Sequence, residues 1–449
     1  MLSTIARITL FTFFLSGVPL PTAAYGERLF SLKEALQYSL EENPELRAFG
    51  QGLLAKKEEI GIARSFLLPK VAFEERFMRT NNPTYAFMAK LNQRRFEEQD
   101  FAITSLDHPA PVNDFQTGFS FEQSLFAPRV NVGVDMAKTE FAAKGAEMER
   151  KKEEIALRVF KTYLGVQTAK SFTGVADKGV EDAQEHLRIA EARFNAGLGL
   201  YSDVLRARVS LSSAEERVVS ARKNLNVAKR ALGLMLGLTD SVDANDERPS
   251  FSLRKLEEYN SVSFSRKDLK SLEARYENAG NALRMANTGY LPVIGIGGSY
   301  QLNDHAAPFG AEGDSWQLVA FLKWELFDGT KREHERQKAK HEISETGEYL
   351  EGLKKQISFL VYDSFLGVDE ARKGLELAKA ALESAEEGRR LVKVRYENSL
   401  STIVDLLDVQ ASLDSARANV VEKEAAYLIS IANLGYQSGT LLHDLGLEK

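Results

Sequence analysis

No cysteine occurs among the 449 residues, which excludes disulfides, thiolate nucleophiles and cysteine-based metal sites. Proline is scarce, 11 in all, and none lies between Arg129 and Arg248 or from Phe309 to the C-terminus. Proline breaks helix interiors, so those two stretches are free to form very long helices. Long apolar runs are missing too. The one candidate, Ile8 to Val18, follows Arg7 and leads to a small-residue site ending at Ala24. It is too short to span a bilayer and reads as a secretory signal peptide, residues 1–24. A mature chain that crosses a membrane must then do so with strands.

Basic stripes interleaved with aromatics are also absent, and the net charge is −6, which argues against a nucleic-acid partner. The six histidines are scattered, with no His-Glu-x-x-His spacing and no Ser-His-Asp ordering. His334 and His341 share a helix face in "REHERQKAKH", but a solvated charged helix explains that pattern. The seven methionines form no Met-His cluster suited to copper or silver. "GIGG" at 295–298 lacks the spacing of a nucleotide loop. No enzyme activity, metal or cofactor is expected.

What is present is an internal duplication. "RFNAGLGLYSDVLRARVSL" at 193–211 returns as "RYENSLSTIVDLLDVQASL" at 395–413, a shift of 202 residues. The same shift pairs "IALRVFKTYLGV" at 155 with "ISFLVYDSFLGV" at 357, and Leu232-Gly233 with Leu434-Gly435. Apolar residues recur at three- and four-residue steps, as in Ile155, Val159, Tyr163 and Val166, the pattern of long amphipathic helices. A helix from about 129 to 196 would run roughly 100 Å at 1.5 Å per residue. Each repeated segment interrupts the helical pattern with helix-end and N-cap residues: Gly197, Gly199, Ser399, Ser401 and Thr402. Each is the turn of a helical hairpin.

Upstream of each hairpin lie two strand-like stretches, about 70–79 and 116–126, then 292–301 and 316–327. In "WQLVAFLKWELF" one face carries Trp316, Leu318, Ala320, Leu322, Trp324 and Leu326. The two tryptophans, eight residues apart, span roughly 26 Å along a strand, as interfacial aromatics flanking a lipid-facing band would. Four strands cannot close a transmembrane barrel, so strands that span require an oligomer; counting does not choose between two copies and three.

These residues carry a resemblance. The two tip segments, the "LLP" and "YLP" strand entries, "LFDG" at 326–329, and the helix ends "ALGLMLG" and "NLGYQSG" resemble the TolC-like outer-membrane efflux proteins over essentially the whole mature length. The resemblance implies a mainly α fold with a small β part. In a homotrimer, paired helical hairpins would build an α-barrel, and four strands per protomer a twelve-stranded β-barrel. It divides the chain into a first repeat at 25–239, an equatorial linker at 240–262, a second repeat at 263–439 and a tail at 440–449. It implies an outer-membrane exit duct reaching through the periplasm. A periplasmic membrane-fusion adaptor and an inner-membrane pump of RND, ABC or MFS type would serve it. The rival reading is a soluble periplasmic coiled-coil adaptor, which would need no lipid-facing band.

The resemblance also assigns roles at the tips. Asp405 and Asp408 match aspartates that narrow the pore, and three copies would place up to six carboxylates around one axis. The alternative for Asp405 is helix-start chemistry, since its repeat partner Asp203 occupies the same turn; Asp408 is partnered by Arg206. Tyr396 matches part of a closed-tip latch, or else packs the hairpin as its partner Phe194 would. Ser401 stands where some relatives carry a latch arginine, so a latch built on that arginine is either absent or rebuilt with Arg206 or Arg395 as the cationic partner. Gly197, Leu198, Leu400 and Ser401 are expected to meet the adaptor. The segment 79–115 joins the first two strands as a long outward loop, expected to pack on itself.

Overall fold

A computed structural model describes residues 28–447; the signal peptide read at 1–24 lies outside them. The first half runs β1 (Arg28–Phe30), α1 (Leu32–Glu42), α2 (Pro44–Ser65), β2 (Lys70–Thr80), α3 (Pro83–Asn92), α4 (Ile103–Asp107), β3 (Val112–Phe126), α5 (Pro128–Asn195) and α6 (Tyr201–Met235). The second runs β4 (Val242–Ala244), α7 (Leu256–Ser263), α8 (Lys267–Asn287), β5 (Val293–Asp304), β6 (Gly313–Lys323), α9 (Lys331–Glu397), α10 (Ile403–Ser438) and α11 (Leu441–Asp444). The proline-free stretches are indeed the long helices: α5 has 68 residues and α9 has 67. None of the described helices is long and apolar enough to cross a membrane.

The duplication is visible in three dimensions, since the α5–α6 and α9–α10 hairpins repeat each other at the 202-residue shift. Their middle is wrapped by the linker, by β1 and α1, and by α11. There β1 pairs in parallel with β4, and the largest core gathers around Leu36, Ile155, Phe160, Tyr163, Leu232, Leu236 and Leu441. Tyr163 is the polar anchor of this belt. Its hydroxyl donates to Asn245 Oδ1 at 2.7 Å, and burial pushes its pKa up to about 12.

The four long strands form one antiparallel sheet in the order β2-β3-β5-β6. Side chains alternate across it. One face carries the cross-strand row Phe73, Phe119, Tyr300 and Trp316, above Val71, Phe121 and Leu318. The opposite face carries Glu74, Arg76, Gln116, Glu122, Gln301 and Gln317. The "GIGG" stretch is a packing device. A Cβ on Gly298 would stand 2.6 Å from the Phe121 ring, and one on Gly295 2.5 Å from the Phe321 ring, so both aromatics lie over bare backbone.

Strand β6 ends sooner than the alternation suggests. The ladder stops at Val293–Lys323, next to Pro292, which has no N–H to donate. Beyond it, Arg332 donates to the carbonyls of Glu325 and Leu326, both at 2.9 Å, and of Gly289 at 3.2 Å, turning the chain into α9. Trp324 therefore lies one residue past the strand, and its indole donates to the Tyr290 carbonyl at 3.2 Å. At the other end of the sheet, the segment between β2 and β3 folds on itself. Phe96 packs edge-on against Phe87 and Phe101, and Lys90 pairs with Asp100 at 2.6 Å. Gln93 just after α3 docks this segment on the polar face through Asp114 at 2.9 Å.

Candidate functional site: the hairpin tips

The tip residues follow from the two turns. Turn one puts Gly197 in the left-handed region, and turn two puts Ser399 there. Leu198, Leu200 and Leu400 are left exposed at the far end of the hairpins, and Ser401 is half-buried beside them.

Asp405 has a local partner. As the third residue of α10 it closes a capping box with Thr402: the Thr402 N–H donates to Asp405 Oδ2 at 2.8 Å, and the Asp405 N–H donates to Thr402 Oγ1 at 3.2 Å. The Ser401 hydroxyl donates to the same carboxylate at 2.9 Å. The Thr402 N–H, helped by the Thr402 and Ser401 hydroxyls, holds the Asp405 carboxyl below its ordinary range. Asp408 lies one turn on, exposed, and makes no ion pair among the described residues. Its repeat counterpart Arg206 is likewise exposed on α6.

Tyr396 is buried between the hairpins with Ile189, Ile403 and Leu406. Burial, then the nearby Asp203 charge, raises its pKa against the opposing pull of Arg193. Within the described chain the cation at Tyr396 is Arg193, and neither Arg206 nor Arg395 fills that position. The Arg193 guanidinium lies 4.9 Å from the Tyr396 ring centre. It donates to the carbonyls of Tyr396 at 2.7 Å and Glu397 at 3.2 Å, to its own turn at Leu198, and to Ser399 Oγ at 2.9 Å. Sequence reasoning missed this residue, although both repeats open on an arginine-aromatic pair.

Further along the same seam lies a second group the sequence did not announce. Asp182 on α5 accepts from Arg389 on α9 at 2.6 Å, and from Arg417 at 2.8 Å and Gln410 at 3.1 Å on α10. His186, fully buried, shares Gln410 Oε1 at 3.1 Å. Burial, reinforced by Arg389 against the hydrogen bond to Gln410, lowers its pKa. Burial works to raise the pKa of Asp182, but Arg417 and Arg389 outweigh it and leave the carboxyl below its usual range. These are structural contacts between helices, with no reacting group converging on a cavity.

One trio of possible metal-ligating atoms occurs among the described residues, Asp304, His305 and Glu312, at the loop end of the sheet. Its donors are already engaged. His305 Nδ1 meets Glu312 Oε1 at 2.6 Å, and Asp304 Oδ1 accepts from the Ala306 and Ala307 N–H groups.

The family model described as "Outer membrane efflux protein" matches residues 35–238 and 259–439. The chain is 22% identical over 424 residues to outer membrane protein TolC of Salmonella enteritidis, covering 92% of this chain and 82% of that one. In fold it is similar to CusC, with a TM-score of 0.76 at 14% identity over 92% and 91% of the two chains. It is also similar to the outer membrane protein VceC of Vibrio cholerae, with a TM-score of 0.73 at 17% identity over 93% and 97%.

Proposed function

The chain belongs to the outer membrane efflux protein family, and on that premise we propose that three copies close one conduit whose periplasmic tips receive an adaptor and an inner-membrane pump. The protein is an outer-membrane channel of the efflux and secretion type. The open sheet supports an assembly of several copies, and the resemblance to the outer-membrane efflux proteins supports three of them rather than two. Strands β2 and β6 are unpaired edges, and the face bearing Phe73, Phe119, Tyr300 and Trp316 is apolar. Open edges leave backbone groups unpaired in lipid, and three sheets of four strands close a barrel within the known size range. A soluble adaptor would have no use for that apolar face.

In this reading the polar sheet face lines the lumen and the hairpins continue the wall inward. Asp408, with Asp405 beside it, supplies a carboxylate ring favouring cations, and Tyr396, Asp203 and Arg206 flank it. Exposed Leu198 and Leu400, beside Gly197 and Ser401, offer the apolar tip surface that a partner's helical hairpin would cover. Transport energy comes from the pump. Light scattering of the detergent-extracted protein should give three chain masses, and a monomer would sink the trimer. Asp408→Asn is expected to lower cation selectivity in planar bilayers more than Asp405→Asn, because Asp405 is spent on the capping box. Unchanged selectivity in both would remove the aspartates from the pore.

A further inference from the structure

The contacts at the tip are made once inside each chain, and the duplication says where they must be made again. Arg193 at the end of α5 ties the first tip to the second through the Tyr396 and Glu397 carbonyls and the Tyr396 ring. Its repeat counterpart is Arg395, and one of its contacts is already reproduced. Arg193 reaches Leu198 O in its own turn at 3.2 Å, and Arg395 reaches Leu400 O at 3.5 Å. The guanidinium of Arg395 is thus held as that of Arg193 is, but at the open side of the protomer.

The groups it would need are exposed in one chain. Tyr396 is 3% exposed, whereas its counterpart Phe194 is 42% exposed. Ile189 at 8% packs on Tyr396 and on Ile403 at 2%; their counterparts Leu391 and Tyr201 stand at 50% and 54%. Phe194 and Tyr201 already lie against each other, ring centres 5.5 Å apart. The exposed set, divided between the two open sides of the protomer, is the buried set of the internal seam displaced by one repeat. Burying it against a second copy recovers the same apolar contact.

We propose that Arg395 staples the second tip of each subunit to the first tip of its neighbour, through the carbonyls of Phe194 and Asn195 and the face of the Phe194 ring, over a Leu391–Tyr201 contact. The inference rests on the three-copy reading above. At the arginine itself the two seams differ in one respect. Ser399 gives Arg193 a further acceptor, and the matching position for Arg395 is Gly197, which has no side chain. At the tip the seam between subunits is therefore held by one bond fewer and is the one that parts first when the tip opens.

The absence of native cysteine makes the test direct. Leu391→Cys with Tyr201→Cys, treated with a short bifunctional maleimide, should give covalent dimers and trimers on a denaturing gel. Ile189→Cys with Ile403→Cys should link only within one chain. Adding Arg395→Ala should slow the first cross-link and shift the closed-to-open balance in planar bilayers by roughly tenfold toward open for a lost charge-assisted bond. Phe194→Leu, which removes the ring and leaves the carbonyls, should give a smaller shift in the same direction. A particle of three chain masses whose cross-linking and conductance ignore Arg395→Ala overturns the staple while leaving the trimer standing. A particle of one chain mass overturns both.

Discussion

Turn one and turn two trace the same backbone path with different side chains. Each closes with an amide reaching back five residues, Leu198 to Arg193 O at 2.9 Å and Leu400 to Arg395 O at 2.8 Å. Each places one residue in the left-handed region, Gly197 at φ 73° and Ser399 at φ 64°. Glycine takes that conformation freely, while serine is strained there; Ser399 is also an acceptor for Arg193. The following helix starts differ as well. Thr402 caps α10 with Asp405, whereas Leu200 offers α6 no side-chain cap and leaves Asp203 at the same position without one. Main-chain geometry has survived duplication, and the side chains have divided the work.

The divergence continues along the seam. Asp182 and His186 correspond to Ser384 and Gly388 in the second half. The largest effect is expected there: Asp182→Ala leaves Arg389 and Arg417 without their shared anion, and breaking a mostly buried pair costs about 3 kcal/mol. The Ser384 hydroxyl bonds only to the Ala380 carbonyl of its own helix, so Ser384→Ala should stay within about 0.5 kcal/mol. Denaturant unfolding of the detergent-solubilised protein measures both, and equal losses would erase the contrast between seams.

A smaller, pH-dependent difference belongs to His186. Its folded pKa is depressed, so the unfolded chain takes up the proton first. The stability is whole above about pH 6.5 and falls by up to about 1.4 kcal/mol per pH unit below it, until the folded pKa is reached. Thermal midpoints measured at pH 7 and pH 5 should therefore separate more in the wild type than in His186→Gln. An identical separation would show that His186 does not carry the dependence.

The smallest effects sharpen the comparison of the turns themselves. Thr402→Ala should cost about 1 kcal/mol of helix-start stability, and Leu200→Thr should recover up to a similar amount by giving Asp203 a capping partner. Hydrogen exchange at the first-turn amides of α10 and α6 would report each. Faster exchange at the altered turn in both variants would remove the capping argument for turn one.

The sequence by itself determined the repeat, the hairpins, the turn positions and the two-sided strands. Each is written in local spacing: proline absence over α5 and α9, the helical period around Ile155, and alternation from Trp316 to Leu322. Helix-start chemistry at Asp405 was legible for the same reason, since Thr402 lies three residues away. Tertiary structure decided what depends on residues far apart in the chain. The end of β6 at Lys323 depends on Pro292 and on the grip of Arg332 across the loop. The choice of Arg193 over Arg206 or Arg395 at Tyr396, and the meeting of Asp182 with Arg389 and Arg417, depend on how one hairpin lies beside the other. A periodic pattern says which face of a helix is buried, but only packing fixes the neighbour that covers it.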